Sequence, residues 1–487
     1  MSDQPRIGIL LSQANAAREA GDLPGADALC RQILRLDPVH SGAIQFRVAI
    51  ANTLGRPGDA LAILDEAARA APINPSWPLS RALILTSLGR HAEALAASDQ
   101  AIALSPLDHT LHRARAAQLF ESHRFEEALA GYDASIAQRP DVAESHIDRA
   151  ETLRRLNHFD EALAAYDRAT DIEPESARAW YGKAMLLLLM GHYKDGWALH
   201  EWRLFTPNFP EPERLLPRPL WDGEPLSGRT LLVRAEQGLG DSIQFYRFVL
   251  QVRRQGKIAV LVPPKLARLF ATQPDAPPVA TDTDHLPHYD LHCPMPSLPF
   301  LLGTELATLP SAPYLRADPA IAAAWRARLP QVPGRLRVGI VWAGNKTQEN
   351  DRDRSMKLET MLAMLDPDLT VISLQKDVPE SDRTTLLAAA HVLDLSESLT
   401  DFADTAAVIS ELDLVITVCT SVAHLAGAMG TPVWVLLSTS ADWRWLIGRE
   451  DSPWYPSARL FRQDKAGDWT DAARRVREAL KTITVPA

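Results

Sequence analysis

Three stretches of this 487-residue chain set glycine, hydroxyl, amide and charge side by side just after short apolar runs, where strand-to-helix turns bind ligands. The first is Arg234-Ala-Glu-Gln-Gly-Leu-Gly-Asp241. Gly238 and Gly240 let the backbone approach a ligand closely, and Asp241 stands at the start of a helix. Asp241 also reads as an N-cap, with Gln244 three residues on completing a capping box, although a plain cap needs no double glycine. Ile243 holds the place of a third glycine, so this is not a dinucleotide fingerprint. The second stretch is Thr417-Val-Cys-Thr-Ser421, running into Val422 to Met429 and closed by Gly430. Thr420 and Ser421 begin a short helix whose free N–H groups and partial positive charge suit a diphosphate, and ordinary capping accounts for them equally well. His424 lies one turn in, where a histidine is more often packed than ligating. The third stretch follows Trp342: Gly344, Asn345 and Lys346, then Asn350 to Arg354. Its polar and basic side chains suit a phosphate clamp, or simply a solvated loop. Asp351-Arg-Asp353 and Asp282-Thr-Asp284 mimic a metal-binding pair, but a pattern this short arises by chance roughly once or twice in such a chain. No metal site is read from them.

These turns need strands and helices to hold them. Thr230 to Arg234, Ile258 to Val262 and Tyr289 to His292 read as strands, with an amphipathic helix over Ser242 to Arg254. A second series reads as strands over Arg335 to Trp342, Thr370 to Leu374, Leu412 to Val418 and Val433 to Leu437, with helices between. Continuous apolar strands separated by helices imply parallel sheets covered on both faces. Two such series joined near Ala317 to Pro333 imply two α/β domains with a cleft at the carboxyl ends of their strands.

The N-terminal part has another period. Proline recurs at Pro38, Pro72, Pro106, Pro140 and Pro174, every interval being 34 residues. A second ladder, Gly21, Gly55, Gly89, His123, Asn157 and Gly191, holds residues that tolerate a left-handed backbone. A third, Ala26, Ala60, Ala94, Ala128, Ala162 and Gly196, holds only small ones. Turn, close contact and helix stop at a period of 34 are the tetratricopeptide (TPR) pattern, about six repeats stacking into a superhelix with a concave groove. The sixth unit departs, with Gly196-Trp197 and Glu201-Trp202-Arg203, as suits a last repeat docked on another domain. A proline-rich linker follows. The expected boundaries are 1–206 for the repeats, 207–228 for the linker, and 229–316 and 334–487 for the two α/β halves.

Composition narrows the classes. A net charge of −10 argues against a nucleic-acid partner. Three distant cysteines, Cys30, Cys293 and Cys419, indicate neither a disulfide framework nor a zinc site and fit a reducing compartment. The longest apolar run, Ala184 to Met190, is far too short to span a membrane, and the N-terminus lacks a signal-peptide pattern. A cytoplasmic protein is expected.

The chain resembles bacterial glycosyltransferases that carry N-terminal TPR repeats and a GT-B-like pair of Rossmann-like domains. The marks are Gly196-Trp197 with Glu201-Trp202-Arg203, Glu236-Gln-Gly-Leu-Gly-Asp241, Val341-Trp-Ala-Gly-Asn345, Ser373-Leu-Gln375, Asp401-Phe-Ala-Asp-Thr405, Ala423-His-Leu-Ala-Gly427, Asp442-Trp-Arg-Trp445 and Trp454-Tyr-Pro456. The catalytic half is similar to lipopolysaccharide heptosyltransferases and, more distantly, to O-linked N-acetylglucosamine transferases. The resemblance implies an inverting, metal-independent transfer from a nucleotide-sugar, with no other cofactor. It implies Asp241 as catalytic base, and Thr420, Ser421 and His424 at the donor diphosphate. It places Asn345, Lys346 and Gln375 in donor-contacting loops, with Gly238, Gly240 and Arg354 lining the same site. Cys419 stands where the family usually has an aspartate that touches the donor sugar. Some relatives resemble flagellin glycosyltransferases, which implies a protein acceptor, flagellin among them, held in the repeat groove. Two other readings stay open: an adaptor whose second half keeps the fold without the catalysis, and a lipopolysaccharide-core sugar transferase.

Overall fold

The computed structural model describes residues 3–207, 209, 216–236, 238–346, 348 and 351–483. Part of the expected linker, Gln237 and Asn350 therefore lie outside the described residues. The chain divides into two compact units, Met1–Ala179 and Trp180–Ala487.

The first unit is a helical solenoid. Its helices are α1 (Gln4–Glu19), α2 (Leu23–Leu36), α3 (Ser41–Thr53), α4 (Pro57–Ala70), α5 (Ser76–Ser87), α6 (His91–Leu104), α7 (His109–Glu121), α8 (Phe125–Gln138), α9 (Ala143–Arg155) and α10 (Phe159–Ile172), with α11 (Ala177–Leu189) starting at its end. Each ladder has the local role its chemistry demands. Gly21, Gly55, Gly89, His123 and Asn157 all turn with positive φ, between 58° and 80°. Ala26, Ala60, Ala94, Ala128 and Ala162 are fully buried between paired helices. Each proline from Pro38 to Pro174 falls two residues past the end of a helix it cannot continue. A fourth ladder also runs at the repeat spacing: Arg81 to Asp65, Arg115 to Asp99 at 2.6 Å and Arg149 to Asp133 at 2.7 Å, each joining one repeat to the one before. Half-exposed pairs like these contribute about 0.2–1 kcal/mol each, so the buried alanine and leucine contacts carry the stack.

The second unit opens with the last helical hairpin, from Trp180 in α11 through α12 (Tyr193–His200) and a 3₁₀ turn at Glu201–Phe205. Then come β1 (Thr230–Arg234), α13 (Leu239–Val252), β2 (Lys257–Leu261), α14 (Pro264–Ala271), β3 (Val279–Ala280), β4 (Leu291–Pro294), α15 (Leu298–Leu301) and α16 (Pro319–Arg326). The chain continues with β5 (Arg337–Val341), α17 (Asp351–Arg354), α18 (Leu358–Leu362), β6 (Thr370–Ser373), α19 (Arg383–Ala388), β7 (Val392–Asp394), α20 (Phe402–Ile409), β8 (Leu414–Val418), α21 (Ser421–Met429), β9 (Val433–Leu437), β10 (Ala458–Arg462) and α22 (Thr470–Leu480). Two parallel sheets result, ordered β3-β2-β1-β4 and β10-β9-β8-β5-β6-β7. The architecture is thus an N-terminal TPR solenoid followed by an α/β region with parallel sheets.

Several segments are more ordered than their composition implies. Trp221, in the expected linker, is buried and donates its backbone N–H to His292 O at 2.9 Å, extending the edge of the first sheet beside β4. The join near 317–333 contains α16, capped by Asp318 and pinned to the second half by Arg326–Glu411 contacts of 2.8 Å. The sixth hairpin belongs to the second unit, because Trp197 is buried against Phe245 of α13 and against Trp443, with Trp454 donating from Nε1 to the Tyr193 hydroxyl at 2.7 Å. Trp202 stacks instead on Trp180 of its own hairpin. The compact units accordingly divide at Ala179 rather than at the expected 206. Among the described residues no helix is long and apolar enough to cross a membrane.

Candidate functional site

A cavity of about 630 Å³ opens over the ends of β1, β5 and β8. It gathers the β1–α13 turn, the loop after β5 and the β8–α21 turn, the three stretches singled out above. Gly238, Gly240, Asp241, Asn345, Arg354, Gln375, Cys419, Thr420, Ser421 and His424 all line it, and Lys346 does not.

The β1–α13 turn is built differently from the sequence expectation. Helix α13 begins at Leu239, so Gly238 is the N-cap and Asp241 sits at N3. Asp241 Oδ2 accepts the Gly238 N–H at 2.8 Å, satisfying a donor the helix leaves free. Its Oδ1 accepts from Arg444 Nη2. Gln244, expected as the capping partner, is buried and accepts from Arg444 Nε at 2.5 Å. Gly240 answers a packing need: a Cβ there would lie 2.9 Å from His424 Cδ2 and 3.4 Å from Ser421 Cα. The two helix starts touch, and only glycine lets them. The loop before them is clamped by Glu236, which takes Arg203 Nε at 2.7 Å and Nη2 at 2.9 Å in a buried bidentate pair. Ser297 and Glu201 complete that network.

The second turn has the expected form. Thr420 is the N-cap of α21 with an extended backbone, and Gly430 closes the helix at φ 77°. His424 is buried, its Nδ1 3.0 Å from the Tyr455 hydroxyl and its ring stacked on Trp445 at 5.4 Å. Burial, aided by Arg444, holds its pKa at about 3, so the ring is neutral at physiological pH. Cys419 Sγ accepts from Trp445 Nε1 at 3.1 Å, and burial pushes its thiol up to about 11, leaving an uncharged group at the wall.

The third stretch is knotted on itself. Asp351 accepts from Ser355 Oγ at 2.9 Å and from Arg354 Nε at 3.3 Å, while Arg354 reaches Cys419 O with Nη1 at 3.2 Å and Gln348 with Nη2 at 2.8 Å. Gly344 is where this knot passes, for a Cβ there would collide with Asp351 Oδ1. Gln375 spends its side-chain amide on the backbone, accepting from Trp342 and Ala343 N–H groups and donating to Ala343 and Asp377 carbonyls. It shapes the wall and has little hydrogen-bonding capacity left for a ligand. Of the two paired aspartate motifs, Asp282 caps its own turn by accepting the Asp284 and His285 N–H groups.

The charge centre of the cavity is the Asp442–Arg444 pair. Asp442 and Arg444 were legible only as part of a motif, Asp442-Trp-Arg-Trp445. Arg444 bonds Asp442 through Nη1 at 2.9 Å to both oxygens, and lies over the Trp443 ring at 4.3 Å. Burial raises the Asp241 pKa, and the Arg444 guanidinium offsets part of that rise. For Asp442 burial is outweighed, and Arg444 holds the carboxyl below its ordinary range. Tyr181, Met185 and His200 of the last hairpin also line the cavity, which no chemical motif announced.

Comparison with known proteins bears on the first unit most directly. Tetratricopeptide-repeat family models match residues 51–109 and 119–186. Protein FlbA of Caulobacter vibrioides (strain ATCC 19089 / CIP 103742 / CB 15) is 28% identical over 316 residues, 59% of this chain and 52% of that protein. The chain thus spans about half the length of that curated relative. Among solved structures, a tetratricopeptide repeat protein from Parabacteroides merdae ATCC 43184 is 18% identical, covering 42% of this chain and 80% of its own, with a TM-score of 0.35. A thermophilic TPR protein of Thermus thermophilus is 20% identical, covering 37% of this chain and 99% of its own, with a TM-score of 0.32.

Proposed function

We propose that this chain is a glycosyltransferase that moves a sugar, with inversion, from a nucleotide-sugar to a hydroxyl of a protein held by the repeats. The observation that carries the reading is the placement of Asp241 on one parallel-sheet half against the start of α21 on the other, in one cavity. Asp241 accepts the acceptor's proton as the hydroxyl oxygen attacks the anomeric carbon. The bond from that carbon to the diphosphate breaks, and its electron pair leaves with the diphosphate. The charge gathered there meets the N–H groups at the start of α21 and the nearby guanidinium of Arg354. A carboxylate raised by burial is a stronger base than an exposed one, which suits the task. The repeats raise the effective concentration of an acceptor that the cavity alone binds weakly. Protein partners are the common ligands of such repeat arrays, and flagellin is the acceptor that the sequence resemblance brings forward.

The test is donor turnover. Purified full-length protein is incubated with a panel of nucleotide-sugars, and released nucleotide is measured with and without a lysate of the native cell, followed by intact-mass analysis of modified proteins. Turnover of one donor and a sugar-sized mass increment on one protein are expected. One observation favours a second reading, a non-catalytic adaptor: Cys419 presents a neutral thiol where the resembled enzymes carry a carboxylate. No turnover on any donor, together with a captured protein partner of unchanged mass, is the outcome that reading expects.

A further inference from the structure

Arg444 reaches from the second α/β half to the first, and its partners divide cleanly. From its own half, Asp442 takes Nη1 with both oxygens at 2.9 Å and also accepts the Arg444 backbone N–H at 3.0 Å. Trp443 supports the guanidinium plane. The two remaining faces of the fork go to α13, Nη2 to Asp241 and Nε to Gln244. Asp241 and Gln244 are three residues apart, hence on one helix face, which is why one planar guanidinium serves both. Asp241 and Arg444 both line the cavity, so the pair stands where substrate would stand.

We infer that Arg444 is a positioning residue for the reaction proposed above, holding the Asp241 carboxylate of one half from the other, so that the base is complete only when the two halves meet. This rests on the reading of Asp241 as the base. The groups around Asp241 explain the need. Glu236 in its own loop and Asp442 across the cleft are carboxylates, His424 on α21 is neutral, and Arg444 is the cation bonded to it. Without Arg444, a half-buried carboxylate beside two others favours its protonated form, and a protonated Asp241 cannot accept a proton. A lysine retains the charge but not the fork.

The experiment uses the full chain as Arg444→Gln, Arg444→Lys, Asp241→Asn and the Arg444→Gln/Asp241→Asn double variant. Thermal melting from pH 4 to 9 gives a double-mutant cycle that needs no substrate. Strong coupling at pH 7 that fades as falling pH protonates Asp241 is expected. Effects that simply add at pH 7 overturn the pair as a positioning device, whatever the activity. The second readout is the pH profile of nucleotide release from the nucleotide-sugar that the wild-type protein turns over. In Arg444→Gln the acid limb moves to higher pH by about one unit or more, a roughly tenfold loss below the limb, with partial recovery at high pH and in Arg444→Lys. A loss uniform across pH assigns Arg444 to packing and overturns the inference. If the wild type turns over no donor, the glycosyltransferase reading falls and takes the catalytic side of this inference with it, while the melting cycle still decides the pairing.

Discussion

At the scale of single residues the cavity is set by burial acting on a few charges. Asp241 and Asp442 share Arg444, yet one carboxyl is raised and the other lowered: Arg444 bonds both oxygens of Asp442, whereas at Asp241 the charges of Asp442 and Glu236 add to the effect of burial. Asp241→Asn keeps an oxygen for the Gly238 N–H and removes the base. Transfer should fall by about 10²–10⁴-fold with donor affinity little changed, measured as initial rates and donor binding on the same preparation. Near wild-type rates from a folded Asp241→Asn protein would return the residue to its capping role. His424 carries a separate pH signature. Its folded pKa of about 3 lies below the unfolded value, so the unfolded chain binds the extra proton between about pH 6.5 and 3. Stability from this residue is therefore full above that window and is lost as pH falls through it. His424→Gln should flatten the decline of melting temperature between pH 6.5 and 4, and an unchanged slope would show that the ring titrates normally.

At the scale of elements, the Arg203–Glu236 pair and the packing at Gly240 each bear on the β1–α13 turn. Arg203 and Glu236 are buried and doubly bonded, so removing one strands the other's charge. Arg203→Met should cost about 3–5 kcal/mol in denaturant unfolding, and the double change Arg203→Met/Glu236→Leu should recover part of that loss. An equal or larger loss in the double variant would show that the pair's packing, not its charge, matters. Gly240 is the other contact. Gly240→Ala must push α13 from α21 and should cost about 1–3 kcal/mol, as overpacking does, with donor binding weakened because both turns shift. The strands of this region were legible where they were continuous apolar runs, as in β1, β8 and β9. The three-residue β7 and the two-residue β3 were not, since so short a strand carries no period of its own.

At the scale of the whole molecule the compact units divide at Ala179, which changes what a stable fragment is. Residues 1–179 expressed alone should give a cooperative, strongly helical circular-dichroism melt, because each repeat is stabilised by its neighbours. A fragment ending at 206 exposes Trp197 without Phe245, Trp443 and Trp454 and should aggregate on size-exclusion chromatography. Equal behaviour of the two fragments would contradict the placement of the last hairpin with the second unit.

By itself the sequence determined the repeat array. The left-handed turns, the buried small residues and the helix stops each depend on neighbours within one or two helices, so a period of 34 spells them out. It also placed the strand-to-helix turns at the carboxyl ends of their strands, since parallel strands of one sheet bring those ends to one side. Only the tertiary structure decided what each turn residue does. Asp241 stands at N3 rather than at the N-cap, Gly240 leaves room for His424, and Gln375 holds its side-chain amide on the backbone while lining the cavity. Arg444, 203 residues from the carboxylate it holds, has no local pattern that predicts the pairing. A cap or a turn is an interaction between neighbours along the chain and leaves a spacing behind. A charge pair across a cleft joins residues that only folding brings together, and no spacing records it.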